Sequence, residues 1–166
     1  AELGDAVPDL AAVLAACEPF AVVNVEIKNW PEDGDFDEEA RLAEAVVALL
    51  EERGELDDPR LLVSAFHLPT LARVRELAPG LATGWLLGLV EDPAPLVERA
   101  AAAGHVAVHP HHAFVNERFV ALAHAAGLAV NAWTCNDPDR ICWLRDQGVD
   151  AVITDTPREA LAALGR

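Results

Sequence analysis

The segment Asn24-Val25-Glu26-Ile27-Lys28 places a carboxylate and an ammonium group two residues apart. The apolar residues around them predict a β-strand over residues 22–28, in which successive side chains point to opposite faces. Glu26 and Lys28 therefore share one face with Asn24. A carboxylate can bind a hard divalent cation through oxygen, and a neighbouring ammonium group can neutralise a phosphate. The pair indicates a site for a metal ion and a phosphate group, with a plain salt bridge as the alternative.

The face that carries Glu26 and Lys28 is expected to be buried. Val22 precedes the alternating stretch and no further polar alternation follows, which is typical of a strand covered on both sides in a parallel sheet. Charged groups persist in such surroundings only where they are paired, bound to a metal or chemically active. The pair is therefore the first candidate for a functional site.

Further polar and aromatic residues are predicted at the ends of later strands. In parallel α/β folds the carboxyl ends of the strands lie on one side of the molecule and carry the functional residues. The candidates there are Ser64, Phe66, Trp85, His109, Trp133, Thr134, Asn136, Thr154 and Asp155. The segment His109-Pro110-His111-His112 also raises a zinc site with Cys135 or Cys142. Its spacing matches no standard closed zinc site, and we favour a loop without a metal.

The elements that would position these residues are short apolar strands alternating with amphipathic helices, separated by Gly, Pro or Asp. We predict a first helix from Val7 to about Cys17, followed by six strands that each precede a helix. The strands are predicted at 22–28, 61–66, 82–87, 105–109, 128–134 and 151–154, and the helices at 38–53, 68–77, 93–103, 116–126, 138–147 and 157–164. Such alternation predicts a parallel sheet.

Two parallel architectures compete at a length of 166 residues. An open doubly wound sheet would be complete at this size, whereas an eight-stranded TIM barrel typically needs about 250 residues. No glycine-rich phosphate loop of the Rossmann or P-loop kind follows a predicted strand, which removes the usual reason to choose the open sheet. The spacing of the strands leaves both folds open. Residues 1–166 are expected to form a single domain.

Composition excludes several classes of partner. With 28 acidic and 12 basic residues the formal net charge is −16, and such a field repels nucleic acid and anionic membrane surfaces. No apolar stretch is long enough to predict a membrane span. Cys17, Cys135 and Cys142 are odd in number and lack CxxC spacing, which predicts reduced thiols and a cytoplasmic location. A secreted location stays open.

Four motifs in chain order resemble the glycerophosphodiester phosphodiesterase family, a branch of the phosphodiesterase TIM barrels. They are Asn24-Val25-Glu26-Ile27-Lys28, Ser64-Ala65-Phe66, Trp133-Thr134-Cys135-Asn136 and Thr154-Asp155-Thr156-Pro157. Each motif alone is weak evidence for the family, but their order along the chain is fairly specific to it. The four motifs together span nearly the whole chain. The resemblance favours the barrel over the open sheet and identifies the chain with the last six β/α units of that barrel.

The resemblance implies metal-dependent hydrolysis of a glycerophosphodiester to glycerol 3-phosphate and an alcohol, with magnesium or calcium at the carboxyl ends of the strands. Glu26 is similar to the family's metal-ligand glutamate on the third barrel strand, and Lys28 to its phosphate-contacting lysine. Trp133 is similar to the aromatic residue that flanks the glycerol of the substrate. Asn136, Ser64 and Asp155 are expected to orient strand ends and loops.

The family's features on its first two strands do not appear in this chain. Members open with His-Arg-Gly on the first strand, carry a Glu-x-Asp metal pair on the second and place another histidine just beyond. The sequence has no His-Arg pair and no Glu-x-Asp on a predicted strand. We therefore expect a partial barrel lacking the first two strands, with the catalytic acid and base residues unknown and no activity for the chain alone.

A partial barrel would leave two strand edges unpaired and the barrel interior open, which predicts a covering partner. The expected partners are the glycerophosphodiester substrate and either a missing amino-terminal segment or a second copy of this chain. The alternative function is a noncatalytic module, or an inactive fragment that needs such a partner segment.

Overall fold

The computed structural model describes residues 7–18 and 22–166. Six β-strands alternate with helices along these ranges. The strands are β1 (Val23–Glu26), β2 (Leu61–Ala65), β3 (Ala82–Leu87), β4 (Ala107–Pro110), β5 (Ala129–Ala132) and β6 (Ala151–Val152). The helices are α1 (Leu10–Cys17), α2 (Arg41–Glu52), α3 (Leu68–Leu77), α4 (Pro93–Ala102), α5 (Glu117–Ala125), α6 (Pro138–Asp146) and α7 (Pro157–Ala163), and a short 3-10 turn covers His112–Phe114.

The strands form one parallel sheet in the order β1-β2-β3-β4-β5-β6. A doubly wound sheet reverses its strand order at a switch point, whereas a barrel adds each strand beside the previous one. The sequential order therefore decides between the two predicted architectures. The sheet is a curled part of a TIM barrel, as the motifs implied.

The predicted elements all form, and their ends differ by a few residues. Helix α2 begins at Arg41 rather than at Glu38 because Ala40 adopts a left-handed backbone conformation with φ 54°. The carboxylate of Asp37 then accepts the backbone N–H of Leu42 at 2.8 Å, which caps the helix from outside. His105 lies before β4 instead of starting it, and its Nδ1 lies 2.8 Å from the hydroxyl oxygen of Thr83.

The outer face of the sheet packs against the helices and forms the core. Every second residue of a strand points to this face, and these positions are apolar in β1 to β5 except at Thr83 of β3. Helices α2, α3 and α5 cover them with apolar side chains of their own. The main cluster includes Val25, Val63, Val108 and Val130 from the strands, and Leu50, Leu71, Val74 and Phe119 from the helices. Since burial of these side chains stabilises the fold, the packing determines which residues face the barrel interior.

The inner face of the sheet carries the remaining positions, among them Glu26, Ser64, Gly84, His109 and Asn131. Gly84 on β3 lies beside the ring of His109 on β4. A Cβ atom at position 84 would lie 2.5 Å from Nε2 of His109, closer than real Cβ contacts allow. The glycine is therefore required for the close approach of this ring to the strand.

The described helices include none that is long and apolar enough to cross a membrane. Cys17, Cys135 and Cys142 are free thiols, with Cys135 buried under α6 and the other two half-buried. No disulfide therefore constrains the described part of the chain.

Replacing Gly84 by alanine should destabilise the protein by about 1–3 kcal/mol, because the buried ring of His109 cannot move away from the new methyl group. Urea unfolding monitored by circular dichroism measures the change. Gly88 provides the matched control, since a Cβ atom there meets nothing within 4 Å. Equal stability of G84A and G88A would show that the ring and the strand are not packed as described.

Candidate functional site

A groove of about 330 Å³ lies at the carboxyl end of β1. Strand β1 ends at Glu26, and the chain then leads through Lys28 into an acidic loop that forms one wall of the groove. Phe66, which follows β2, forms the opposite wall. The lining residues are Glu26, Lys28, Asn29, Trp30, Asp33, Phe66 and Gly88.

Glu26 and Lys28 form an ion pair in which Nζ of Lys28 lies 3.4 Å from Oε1 of Glu26. The lysine side chain is 82% exposed and the glutamate side chain 34% exposed. The expectation of a buried charged face is therefore wrong, because β1 is an edge strand whose inner face is not covered by any described residue. Exposed ion pairs contribute little to stability, which leaves both groups free to bind a ligand.

Asn29 holds the loop that follows this pair. Its side-chain amide donates to the hydroxyl oxygen of Thr70 and to the backbone carbonyl of Asp37, both at 2.9 Å. Its side-chain oxygen accepts the backbone N–H of Asp37, also at 2.9 Å. Because Asn29 is buried and its amide is satisfied on both sides, residues 29–37 form a closed loop. This loop brings Trp30 and Asp33 to the groove.

A row of aromatic rings runs from the groove across the carboxyl ends of the strands. The ring of Phe66 packs edge-on against Trp30, with ring centroids 5.2 Å apart, and against Trp133, at 5.4 Å. His111 continues the row, at 5.1 Å from Trp133. The indole nitrogen of Trp133 donates to the backbone carbonyl of His109 at 2.7 Å, which fixes the orientation of the ring.

The structure brings some of the predicted site residues together and separates others. Glu26, Lys28 and Phe66 line one groove, and Trp133 contacts that groove only through Phe66. Trp85 faces the helices instead: its indole nitrogen donates to the carbonyl of Phe66 at 3.1 Å, and Arg99 covers its ring. Trp85 is therefore part of the scaffold, because its position in β3 points to the outer face.

The strand-end polar residues of β5 and β6 form a hydrogen-bonded network that joins two loops. The side-chain oxygen of Asn136 accepts from the hydroxyl of Thr154 and from the backbone N–H of Asp155, both at 2.8 Å. Its amide donates to the carboxylate of Asp155 at 2.9 Å. Asn136 and Asp155 thus orient loops, which agrees with the role expected for them.

His109 is 1% exposed and lies inside the barrel rather than in the groove. The amide of Asn131 donates to its Nε2 at 3.0 Å, so its proton resides on Nδ1, which finds no partner among the described residues. The hydroxyl of Ser64, also on the inner face, is buried and has no hydrogen-bond partner in the described part of the chain. Burial lowers the pKa of His109 to about 4, so the ring is neutral near pH 7.

Comparison with known proteins connects this geometry to a family. The sequence profile of the glycerophosphoryl diester phosphodiesterase family matches residues 2–159. The chain belongs to this family. A search among curated proteins finds no match.

Solved structures of phosphodiesterases have the same fold. The chain is 30% identical to a protein of Silicibacter pomeroyi DSS-3 assigned as a glycerophosphoryl diester phosphodiesterase, with a TM-score of 0.81 over 95% of this chain and 56% of the other. It is 30% identical to an Oleispira antarctica phosphodiesterase in complex with the product sn-glycerol-3-phosphate, with a TM-score of 0.69 over 77% of this chain and 51% of the other. The chain therefore spans about half the length of these two relatives.

The described part of this family member does not by itself form a complete metal centre. No three His, Cys, Asp or Glu side chains converge there in an arrangement that could hold an ion. The groove offers two carboxylates, Glu26 and Asp33, on a wall that is open to solvent. The structure does not support the zinc alternative either. The thiol of Cys135 donates to the carbonyl of Asp137 and that of Cys142 to the carbonyl of Ala163, so neither thiol points to the histidine segment.

Sequence reasoning missed Asn29, Trp30 and Asp33 as parts of the site. All three lie in residues 29–37, between the predicted strand at 22–28 and the predicted helix at 38–53. Their position directly after the Glu26–Lys28 strand end was the available signal, since loops at the carboxyl ends of barrel strands build the functional sites of this fold.

Because the pKa of His109 is low in the folded protein, the free energy of unfolding should decrease as the pH falls. The unfolded chain binds a proton at this residue near pH 6.5 and the folded chain only near pH 4. The stabilisation is therefore fully present above pH 6.5 and is lost as the pH falls to 4, by roughly 3 kcal/mol. Urea unfolding of the native protein and of H109Q from pH 7 to pH 4 measures the difference in slope. Parallel curves would contradict the assignment to His109.

Proposed function

We propose that the protein takes part in the hydrolysis of glycerophosphodiesters to glycerol 3-phosphate and an alcohol. The observation that supports this most directly is the solvent-accessible Glu26–Lys28 pair in a groove at a barrel strand end of a chain of this family. The Oleispira antarctica relative, whose structure contains the product sn-glycerol-3-phosphate, supports the same class of substrate.

Lys28 binds the phosphate group in this proposal. Its ammonium group is exposed at the groove and interacts with a single carboxylate, so a phosphoryl oxygen can approach it without displacing a buried partner. The chain carries a net charge of −16, which disfavours an anionic substrate unless a local cation compensates. Lys28 supplies that cation and stabilises the negative charge that develops on the phosphoryl oxygens.

Glu26 serves as a metal ligand in this proposal, with magnesium or calcium as the ion. Both ions prefer oxygen ligands, and a carboxylate at a strand end provides them. The bound ion would polarise a phosphoryl oxygen. Asp33 is the second carboxylate within the same groove, and the remaining ligands would come from outside the described residues.

The aromatic row provides the apolar wall for the glycerol part of the substrate. Phe66 lines the groove directly, and the edge of Trp133 supports it from the side of β5. A flat ring can pack against the carbon atoms of glycerol while its hydroxyl groups remain free to form hydrogen bonds. We assign substrate contact to Trp133 together with Phe66, which lies between Trp133 and the groove.

A second candidate function is a noncatalytic or incomplete module, and one observation favours it. Among the described residues, no histidine lines the groove of Glu26 and Lys28. General acid or base catalysis requires a proton donor or acceptor within hydrogen-bond reach of the reacting oxygen. His109 cannot serve there, because it is buried in the barrel interior. In this proposal the chain binds the substrate and another segment supplies the acid and base.

The open sheet supports a covering partner, either a further segment of the same protein or a second copy of this chain. Strands β1 and β6 are the two edges of the described sheet. Beside β6 lies a cavity of about 440 Å³ whose walls include Ile141, Val152, Leu161 and Leu164. Another β/α unit packed there would pair the free strand edge and bury the exposed parts of Val152, Leu161 and Leu164.

Hydrolysis of glycerophosphocholine with magnesium or calcium tests the proposed activity through release of glycerol 3-phosphate. Where turnover is observed, E26A and K28A should each lower kcat/KM by about 100-fold or more, since each removes a charge next to the phosphoryl group. E51A and R118A are matched controls that remove an exposed charge outside the groove and should retain activity within about twofold.

Turnover that persists in both E26A and K28A would refute the assignment of the groove. Absence of turnover with retained binding of glycerol 3-phosphate, lost in K28A, would support the second candidate function instead.

The covering partner should be visible in the mass of the protein in solution. Sedimentation velocity is expected to give twice the chain mass of 17.7 kDa for a second copy, or a stable complex when a further segment is present. Loss of that assembly in V152K, which places a charge on the edge strand β6, would locate the contact. A monomer with both edges free at high micromolar concentration would contradict the proposal.

A further inference from the structure

A groove of about 620 Å³ lies on the outside of the barrel between α3 and α4. The two helices follow neighbouring strands, yet they face each other with small residues, Ala72 on α3 and Ala103 at the end of α4. The groove and the candidate site have no lining residue in common. Its walls are Leu68, Pro69, Ala72, Arg75, Arg99, Ala103 and His105.

Two arginines enter this groove from opposite sides. Arg75 lies on α3, and its guanidinium group rests on Gly104: a Cβ atom at position 104 would lie 2.6 Å from Nη2. Arg99 lies on α4, with its guanidinium carbon 5.6 Å from the ring centroid of Trp85. Neither arginine forms an ion pair with any described carboxylate, although Arg73 on the same helix α3 forms two.

His105 is a third nitrogen-bearing group in the groove and is 6% exposed. Its Nδ1 lies 2.8 Å from the hydroxyl oxygen of Thr83. Its Nε2 is buried and has no hydrogen-bond partner among the described residues. Leaving a buried polar nitrogen unpaired is costly, so such a group is evidence of a missing partner. When the Thr83 hydroxyl donates to Nδ1, Nε2 carries the proton, and a ligand can accept from it only where the groove side chains shift to uncover it.

The three groups together are donors without acceptors. Among the residues that the structure describes, Arg75 and Arg99 are two of five arginines that form no ion pair, and they are the two that line this groove. Guanidinium groups bind phosphate through two parallel N–H donors, and a neutral imidazole adds a further donor. The apolar walls formed by Leu68 and Pro69 can contact the organic part of a ligand.

We propose that the α3–α4 groove, defined by Arg75, Arg99 and His105, binds the phosphate group of a small phosphorylated molecule. A volume of about 620 Å³ is in the range of small-molecule sites. The site is separate from the groove of Glu26 and Lys28, and its existence does not depend on the proposed phosphodiesterase activity.

Titration with inorganic phosphate, followed by NMR at the backbone amides of Gly104 and His105, tests this proposal. We expect saturable shifts at both residues that persist in K28A, which removes the cation of the other groove. In R75Q/R99Q the affinity should fall by about tenfold or more, because both guanidinium contacts are lost. R118Q/R145Q removes two arginines that lie outside the groove and should retain the affinity within about twofold.

A second variant keeps both arginines and supplies a competing carboxylate. A72E places an acid one turn before Arg75 on the groove face of α3 and should abolish the phosphate shifts by pairing with that arginine. A102E adds the same charge at an exposed position of α4 outside the groove and should leave them unchanged. Absence of saturable shifts at Gly104 and His105, or equal losses in the groove variants and their controls, would overturn the proposal.

Discussion

The structure depends on the alternation of side chains in six parallel strands whose outer faces pack against helices. Val25, Val63, Val108 and Val130 are buried under the helices. Because side chains alternate along a strand, their neighbours in each strand must point to the inner face. A shift of one residue in any strand would turn its outward-facing apolar side chains to the barrel interior and its inner-face side chains towards the helices. The positions of Glu26, Ser64, His109 and Asn131 therefore follow from apolar packing on the opposite face.

The inner face shows two different solutions for polar residues. Near its centre, the ring of His109 is hydrogen-bonded to Asn131 and packed against Gly84. Its burial lowers its pKa, so the ring is neutral near pH 7. At the edge, Glu26 and Lys28 form an ion pair that solvent reaches. The difference has one physical origin: a charged group is costly where water is excluded and inexpensive where water remains. Chemistry that needs permanent charge is therefore possible at β1 and not at β4.

Because the net charge is −16, the cations that a ligand can reach are important for binding an anion. Arg41, Arg53, Arg60 and Arg73 are neutralised within a few ångströms, and their role is to connect loops and helices. Lys28 at the groove and the arginines between α3 and α4 are different, because a ligand can reach them. An acidic surface keeps anions away in general, so local cationic groups of this kind decide where an anion can bind.

The sequence by itself determined the alternation of strands and helices, the family and the strand end that carries Glu26 and Lys28. These are local properties: period-two apolar patterns, Gly and Pro positions and short motifs are readable without any contact between distant residues. The ends of helices with clear capping signals, such as α4 and α6, were predicted within one residue for the same reason.

Tertiary structure alone decided which candidate residues meet. Trp85 faces the helices because its position in β3 points outward. The rings of Trp133 and Phe66 are in contact although they follow β5 and β2, three places apart in the sheet. The exposure of the Glu26–Lys28 face was decided by β1 being an edge, which no local pattern reveals. Asn29 gained its role only through Thr70, 41 residues away. Exposure and long-range contacts depend on what the rest of the chain covers, and that is settled only when all the strands and helices are packed.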